Sequence, residues 1–309
     1  MTYDRSDLLV EGPWEHREIS ANGLRFHAAS SGDGPLVLML HGFPENWWAW
    51  RHQLVSFADA GYRVVALDLR GYGATDHTPR GYDTPSLTAD VAAVIRSLGS
   101  DHAHVVGHDW GGAIGWTLAA VHPQLVTSLV VVSAPHPRRL RSAVLRRPAQ
   151  LAASAQSLVF QSPWAPERML VKDDARRVDE LLHRWSAPGW PDAATSTFYR
   201  QAMQVGNTAY CAMEYYRWAV RSAPRPDGIR YASAMRSPIK APVLQVHGDQ
   251  DRWLLPASAQ GSDQYVTGPY EWRLLDGVGH FPHEEAPDRF DTEVLKWLDV
   301  ADSAHGFSD

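Results

Sequence analysis

Residues 105–112 read Val105-Val106-Gly107-His108-Asp109-Trp110-Gly111-Gly112, a buried-strand pattern that passes directly into a helix of small residues. A chain turns that sharply only if the corner residue takes up strained backbone, which brings the positions two before and two after it into contact. Gly107 and Gly111 remove the side chains that would collide, and Gly112 lets the helix approach the sheet. This is the small-x-nucleophile-x-small layout of a nucleophile elbow, with Asp109 at the corner. A plain strand-to-helix turn would also account for an aspartate, because a carboxylate is favoured at a helix N-terminus. The rest of the chain has to decide between the two.

The surrounding pattern supplies the layers that such a turn needs. Two short strands, Arg17 to Ser20 and Arg25 to Ala29, flank Asn22-Gly23, a strong hairpin signal. Leu36 to Leu40 is a continuous apolar run, read as a strand buried on both faces. A helix near Trp50 to Ala60 stops at Gly61, a strand follows at Arg63 to Leu67, and Ser86 to Leu98 reads as a helix with Ser86 and Asp90 in its first turn. Short strands at Ala103 to Val106 and Leu129 to Val132 bracket a helix at Gly111 to Val121. This alternation implies crossover units and a mainly parallel sheet. From Pro137 to about Met235 it breaks, leaving only helical patterns rich in aromatics, Arg and Pro. It resumes with a strand at Ala241 to His247, a helix near Pro256 to Tyr265, a strand at Tyr270 to Leu275 and a last helix near Pro287 to Trp297. An all-helical insertion, residues 137–235, within one α/β core, residues 1–136 and 236–309, explains this better than tandem domains.

Three further segments bring chemistry to the elbow. His41-Gly42-Phe43-Pro44 follows a buried strand, and a tight turn there can aim the Phe43 N–H at Asp109, forming an oxyanion hole with the Trp110 N–H. His41 is read as a structural histidine that bonds its own loop. Gly248-Asp249-Gln250-Asp251 and Asp276-Gly277-Val278-Gly279-His280 each follow a strand, in the chain order nucleophile, acid, histidine that a hydrolase triad requires. Asp251 is preferred to Asp249 because it lies further into its loop. His280 is preferred to His283 because it follows the Gly-rich turn directly.

Composition removes several other classes. With 29 Lys+Arg against 35 Asp+Glu, a net charge of -6, the chain lacks the footprint of a nucleic-acid binder. The basic run Arg138, Arg139, Arg141, Arg146 and Arg147 is read as a solvated face rather than a lipid or phosphate patch. A single cysteine, Cys211, rules out an internal disulfide and a cysteine metal cluster. No apolar stretch reaches the ~18 residues of a membrane span. Met1 to Pro13 carries Asp4, Asp7 and Glu11 and no apolar core, so no secretory signal is read and a cytoplasmic location is expected. The 13 tryptophans cluster around Trp47 and again around Trp164 and Trp185, as core aromatics or as walls of an apolar pocket.

Together, His41-Gly42-Phe43-Pro44-Glu45, Gly107-His108-Asp109-Trp110-Gly111-Gly112, Gly248-Asp249-Gln250-Asp251 and Gly279-His280 resemble the α/β-hydrolase-fold epoxide hydrolases. The resemblance covers nearly the whole chain, including Asp68-Leu69-Arg70-Gly71-Tyr72-Gly73 and Ala134-Pro135-His136-Pro137. It implies an α/β-hydrolase fold whose insertion is a helical cap over the pocket, with cap tyrosines hydrogen-bonding the epoxide oxygen. Tyr215-Tyr216-Arg217-Trp218 resembles the second such segment and puts a donor at Tyr216. The first usually reads Tyr-Phe-Gln-x-Pro, but here it is Val159-Phe160-Gln161-Ser162-Pro163. Either Tyr216 therefore acts alone or another cap residue, such as His183 or Tyr199, joins it.

The implied chemistry follows from the nucleophile. A carboxylate is already ionised at neutral pH and suits displacement at an sp³ carbon. Asp109 would form a glycol ester, and His280, oriented by Asp251, would activate the water that hydrolyses it. Activity would then fall as pH drops through about 6 to 7, where an unperturbed histidine protonates. Trp47, Phe160, Trp164 and Tyr215 are expected to line the pocket. The partners are a small-molecule epoxide and water, no metal or organic cofactor is needed, and a homodimer stays open. The runner-up is a haloalkane or haloacid dehalogenase with the same triad, holding halide with the Trp110 and Trp164 indoles. Such relatives often carry Asn where this chain has Phe43. A ligand-binding receptor on a dead hydrolase fold would predict a broken triad, whereas every position here is filled.

Overall fold

The computed structural model describes residues 3–305. Its strands are β1 (Glu15–Ala21), β2 (Leu24–Ser31), β3 (Leu36–Leu40), β4 (Arg63–Leu67), β5 (Ala103–His108), β6 (Val126–Val132), β7 (Val243–Gly248) and β8 (Tyr270–Leu275). They form one sheet in the order β1-β2-β4-β3-β5-β6-β7-β8. β1 pairs antiparallel with β2, and β2 with β4, while every other pair is parallel. At the hairpin, Asn22 and Gly23 both have positive φ, 45° and 77°, the turn whose twist matches paired strands. β3, β5 and β6 are buried along their whole lengths, as strands covered on both faces must be.

Three helices lie among the first six strands: α1 (Arg51–Asp59), α2 (Thr84–Ser97) and α3 (Trp110–Val121). Between β6 and β7 the chain is helical: α4 (Pro137–Arg146), α5 (Pro148–Ser154), α6 (Gln156–Val159), α7 (Ala165–Trp185), α8 (Ala193–Gln204), α9 (Thr208–Arg221) and α10 (Pro226–Ala234). The end of the chain adds α11 (Pro256–Ala259), α12 (Pro282–Glu285) and α13 (Pro287–His305).

Local chemistry moves three boundaries. α2 begins at Thr84 rather than Ser86 because the Asp83 side chain caps it, accepting from the Ser86 N–H at 2.9 Å. The helix expected over Pro256 to Tyr265 is broken, since α11 ends at Ala259 and Gly261 sits at φ 89° before a short 3₁₀ turn, Asp263–Tyr265. α13 continues past Trp297 to His305.

The consequence for a site is geometric. β3, β5, β7 and β8 run parallel, so the loops after them, with Phe43, Asp109, Asp251 and His280, emerge at the same edge of the sheet. That edge is where open parallel sheets bind ligands.

Candidate active site

Asp109 sits between β5 and α3 at φ 47° and ψ -109°, strain of about 1–3 kcal/mol for a non-glycine residue. Its surroundings hold it there. The Asp109 N–H donates to the Val132 carbonyl at 3.1 Å, and its carbonyl accepts from the Ala113 N–H at 3.0 Å. A Cβ on Gly107 would lie 2.4 Å from the Gly111 oxygen, and one on Gly111 would lie 2.1 Å from the Leu40 oxygen. Only glycine fits at either place.

The Phe43 N–H donates to Asp109 Oδ1 at 3.3 Å. The Phe43–Pro44 peptide is cis. Trp110 is the first residue of α3, so its N–H has no carbonyl within the helix to bond. His41 is tied to its loop, with Nε2 accepting from the Leu69 N–H at 3.0 Å and Nδ1 facing the Gly42 oxygen at 2.8 Å.

His280 Nε2 lies 3.7 Å from Asp109 Oδ2, and His280 Nδ1 lies 2.8 Å from Asp251 Oδ2. The other Asp251 oxygen accepts from the N–H groups of Trp253, at 2.8 Å, and Leu254, at 3.0 Å. Burial would raise the Asp251 pKa, but the charge of His280 and hydrogen bonds from His247 and His280 hold it well below the usual carboxylate range. Burial works against the His280 cation, yet the carboxylates of Asp251 and Asp109 outweigh it and push its pKa up to about 10.

The competing residues are engaged elsewhere. Asp249 Oδ1 accepts from the Gly277 and Val278 N–H groups, at 2.7 and 3.3 Å, and so shapes the turn before His280. His283 faces Glu45 Oε1 at 3.1 Å and stacks on Trp50 at 4.2 Å.

Tyr216, on α9, reaches the elbow. Its ring centroid is 5.1 Å from that of Trp110, 5.6 Å from Phe43 and 5.0 Å from Phe160. Its hydroxyl is buried, the Trp110 indole N–H faces it too loosely for a well-formed hydrogen bond, and no group among the described residues accepts its proton. Burial first, then the charge of Asp109, raises its pKa well above the usual phenol value, so the proton stays on. Neither alternative donor comes near, since the exposed His183 faces the Asp179 carbonyl at 3.0 Å and Tyr199 donates to Glu284. Val159 is exposed.

Two expected pocket residues lie elsewhere. Trp47 is buried beneath the N-terminal segment, with Nε1 donating to the Leu8 carbonyl at 3.0 Å and its ring edge-on to Trp14. Trp164 is 73% exposed, because its backbone at φ 59° starts α7 at the surface. Phe160 does pack on Phe43 and Tyr216. Tyr215 meets Trp110 edge-on at 5.6 Å, but its hydroxyl is committed to the Arg70 carbonyl at 2.8 Å.

Trp185 belongs to a tryptophan cluster that the sequence offered as core or pocket wall, whereas Trp253, His108 and Glu45 were not assigned to the site. Trp185 lies edge-on to His280 at 5.7 Å and stacks on Trp253, which stands two residues after Asp251. Proximity to the acid was the available signal for Trp253. Behind the elbow, His108 holds Glu45 through Nδ1 at 2.7 Å and the His280 carbonyl through Nε2 at 2.8 Å. Glu45, His108 and His283 are the one trio close enough to hold a metal ion among the described residues, and their mutual contacts already account for their positions.

A family model for the alpha/beta hydrolase fold matches residues 35–287. The chain is 34% identical over 287 residues to epoxide hydrolase 3 of Xenopus tropicalis, covering 90% of this chain and 75% of that one. It is 33% identical over 279 residues to human epoxide hydrolase 4, covering 87% and 74%. The crystal structure of epoxide hydrolase A from Mycobacterium thermoresistibile superposes with a TM-score of 0.80 at 28% identity, covering 93% of this chain and 98% of that one. An aspartate elbow with an acid–histidine pair on an eight-stranded, mostly parallel sheet, together with these likenesses, places the chain in the α/β-hydrolase fold family, among the epoxide hydrolases.

Proposed function

We propose that this enzyme opens epoxides to vicinal diols through a covalent ester on Asp109. The carboxylate attacks one epoxide carbon, the C–O bond to the ring oxygen breaks, and that oxygen takes a hydrogen bond or proton from Tyr216. Water then attacks the ester carbonyl carbon while His280, oriented by Asp251, takes its proton. Charge developing on the Asp109 oxygen meets the N–H groups of Phe43 and Trp110. The helices of residues 137–235 act as a cap that supplies Tyr216 and Phe160 and shields the reacting groups from bulk water. No metal or organic cofactor enters these steps.

The carrying observation is the Tyr216 hydroxyl, buried and protonated beside the Trp110 and Phe43 rings, with nothing among the described residues to accept its proton. An epoxide oxygen leaves as an alkoxide still attached to the substrate and needs such a donor, whereas halide leaves as a stable anion. The Trp110 indole N–H, which faces the Tyr216 hydroxyl, would suit halide, but the exposed Trp164 offers it no companion. Tyr216→Phe removes the hydroxyl and keeps the ring. Single-turnover alkylation by epoxides should fall by about 10²–10⁴. Unchanged alkylation would remove Tyr216 from the mechanism. Halide release outpacing diol release across an epoxide and haloalkane panel would replace the reading with dehalogenation.

A further inference from the structure

From Pro137 to Pro166 the chain holds five arginines and no aspartate or glutamate, although its net charge is -6. Two of these arginines are tied to the core: Arg139 donates to the Gln260 carbonyl at 2.6 Å, and Arg138 lies over the Tyr265 ring at 5.1 Å. Arg141, Arg146 and Arg147 are exposed, with no ion pair among the described residues. Large apolar side chains stand out of the same stretch, with Leu145 76%, Leu158 64% and Trp164 73% exposed, and Leu151 is exposed as well. Single exposed apolar residues are ordinary. Several on consecutive short helices, led by unpaired arginines at the first and free of acids, make up the composition of an interfacial membrane segment. The stretch is not an outlying tail either. Phe160, between Val159 and Gln161, packs its ring on Phe43 and Tyr216.

We infer that this arginine- and leucine-bearing strip, whose basic run alone reads as a solvated face, docks the protein onto an anionic lipid bilayer once its exposed apolar side chains are counted with it. Leu145, Leu158 and Trp164 enter the headgroup boundary, while Arg141, Arg146 and Arg147 lie against lipid phosphates. Charge complementarity selects this occupant over a second copy of the chain. A two-fold contact would face the patch with itself, setting arginines against arginines with no acid between them. An apolar substrate dissolved in the bilayer would then meet the protein beside Phe160 rather than from bulk water.

The test is sedimentation of the full-length protein with phosphatidylcholine vesicles, with and without phosphatidylglycerol. The protein should partition onto phosphatidylglycerol vesicles and be released as salt is raised. Replacing Arg141, Arg146 and Arg147 by Gln should weaken partitioning by about fivefold per charge. Leu145→Ser, Leu158→Ser and Trp164→Ser together should abolish it, with helical content and turnover of a water-soluble epoxide retained. Three results would each overturn the inference: no binding at low salt, equal binding to both vesicle types unaffected by the arginine changes, or a dimer that the serine variant dissociates while vesicles are ignored. These readouts do not depend on which reaction the site performs.

Discussion

His280 is flanked by two carboxylates, and one of them disappears as a charge during the proposed reaction. Asp109→Asn copies that loss, because the amide has the shape of the carboxylate and the neutrality of the ester. The Asp109 oxygen lies 3.7 Å from His280 Nε2. At an effective dielectric of about 20, unit charges at that range interact by about 4 kcal/mol. At 1.36 kcal/mol per tenfold change, that corresponds to about three pH units. The pKa of His280, pushed up to about 10 in the parent, should therefore fall toward ~7 in Asp109→Asn. Histidine ring resonances followed by NMR across pH, with His280→Gln providing the assignment, measure both midpoints. The raised pKa of His280 moves the expected pH dependence away from that of an ordinary histidine, and the two midpoints decide which holds. With both carboxylates beside it His280 is expected to hold its proton through neutral pH, and in the proposed reaction it would become a base once Asp109 is esterified. Equal midpoints in parent and Asp109→Asn, or a parent midpoint near 6.5, would refute the reasoning.

Removing the base by His280→Gln should let the alkyl-enzyme accumulate, seen as a protein mass raised by one substrate; full turnover without an adduct would take that role away. Because His280 titrates higher when folded than when unfolded, its pairing contributes stability in full below about pH 6.5 and loses it as pH climbs through about 10. Chemical denaturation at both ends of that window should show a larger loss for the parent than for His280→Gln. Gly111→Ala drives a methyl group to 2.1 Å from the Leu40 carbonyl oxygen, where backbone on both sides must move. A destabilisation of about 1–3 kcal/mol or more is expected by denaturant titration, and a cost near zero would mean that the helix does not approach the sheet so closely.

What was legible in the sequence was what local sterics dictate. A strained corner needs small residues at fixed offsets, so Gly107, Asp109 and Gly111 announce themselves. Asn22-Gly23 and the apolar run Leu36 to Leu40 do so for the same reason. Asp251 and His280 could be picked out because each follows a strand end, and parallel strands deliver such ends to one edge. The tryptophans were not legible. Trp47 and Trp164 look alike in sequence to Trp185 and Trp253, yet the first pair packs beneath the N-terminal segment or faces solvent while the second stacks beside His280. Which way an aromatic points depends on how helices between β6 and β7 settle against the sheet, and no local rule contains that. The Glu45–His108–His283 cluster was hidden similarly, because its members come from a loop, the end of β5 and α12, far apart in the chain.

β6 and β7 are neighbours in the sheet, so the long helical excursion between them leaves and re-enters the scaffold at nearly the same place. An insertion whose ends already meet costs little more chain-closure entropy as it lengthens, because that cost grows only logarithmically with loop size. Helices there can be lengthened, swapped or redecorated by drift while the strand ends carrying Asp109, Asp251 and His280 keep their register. Heredity can thus edit most of that excursion apart from the strand ends, with Tyr216 on α9 the position that the proposed reaction would hold fixed. Variation confined to α4–α10 should change which molecules are admitted long before it disturbs the parallel strands beneath.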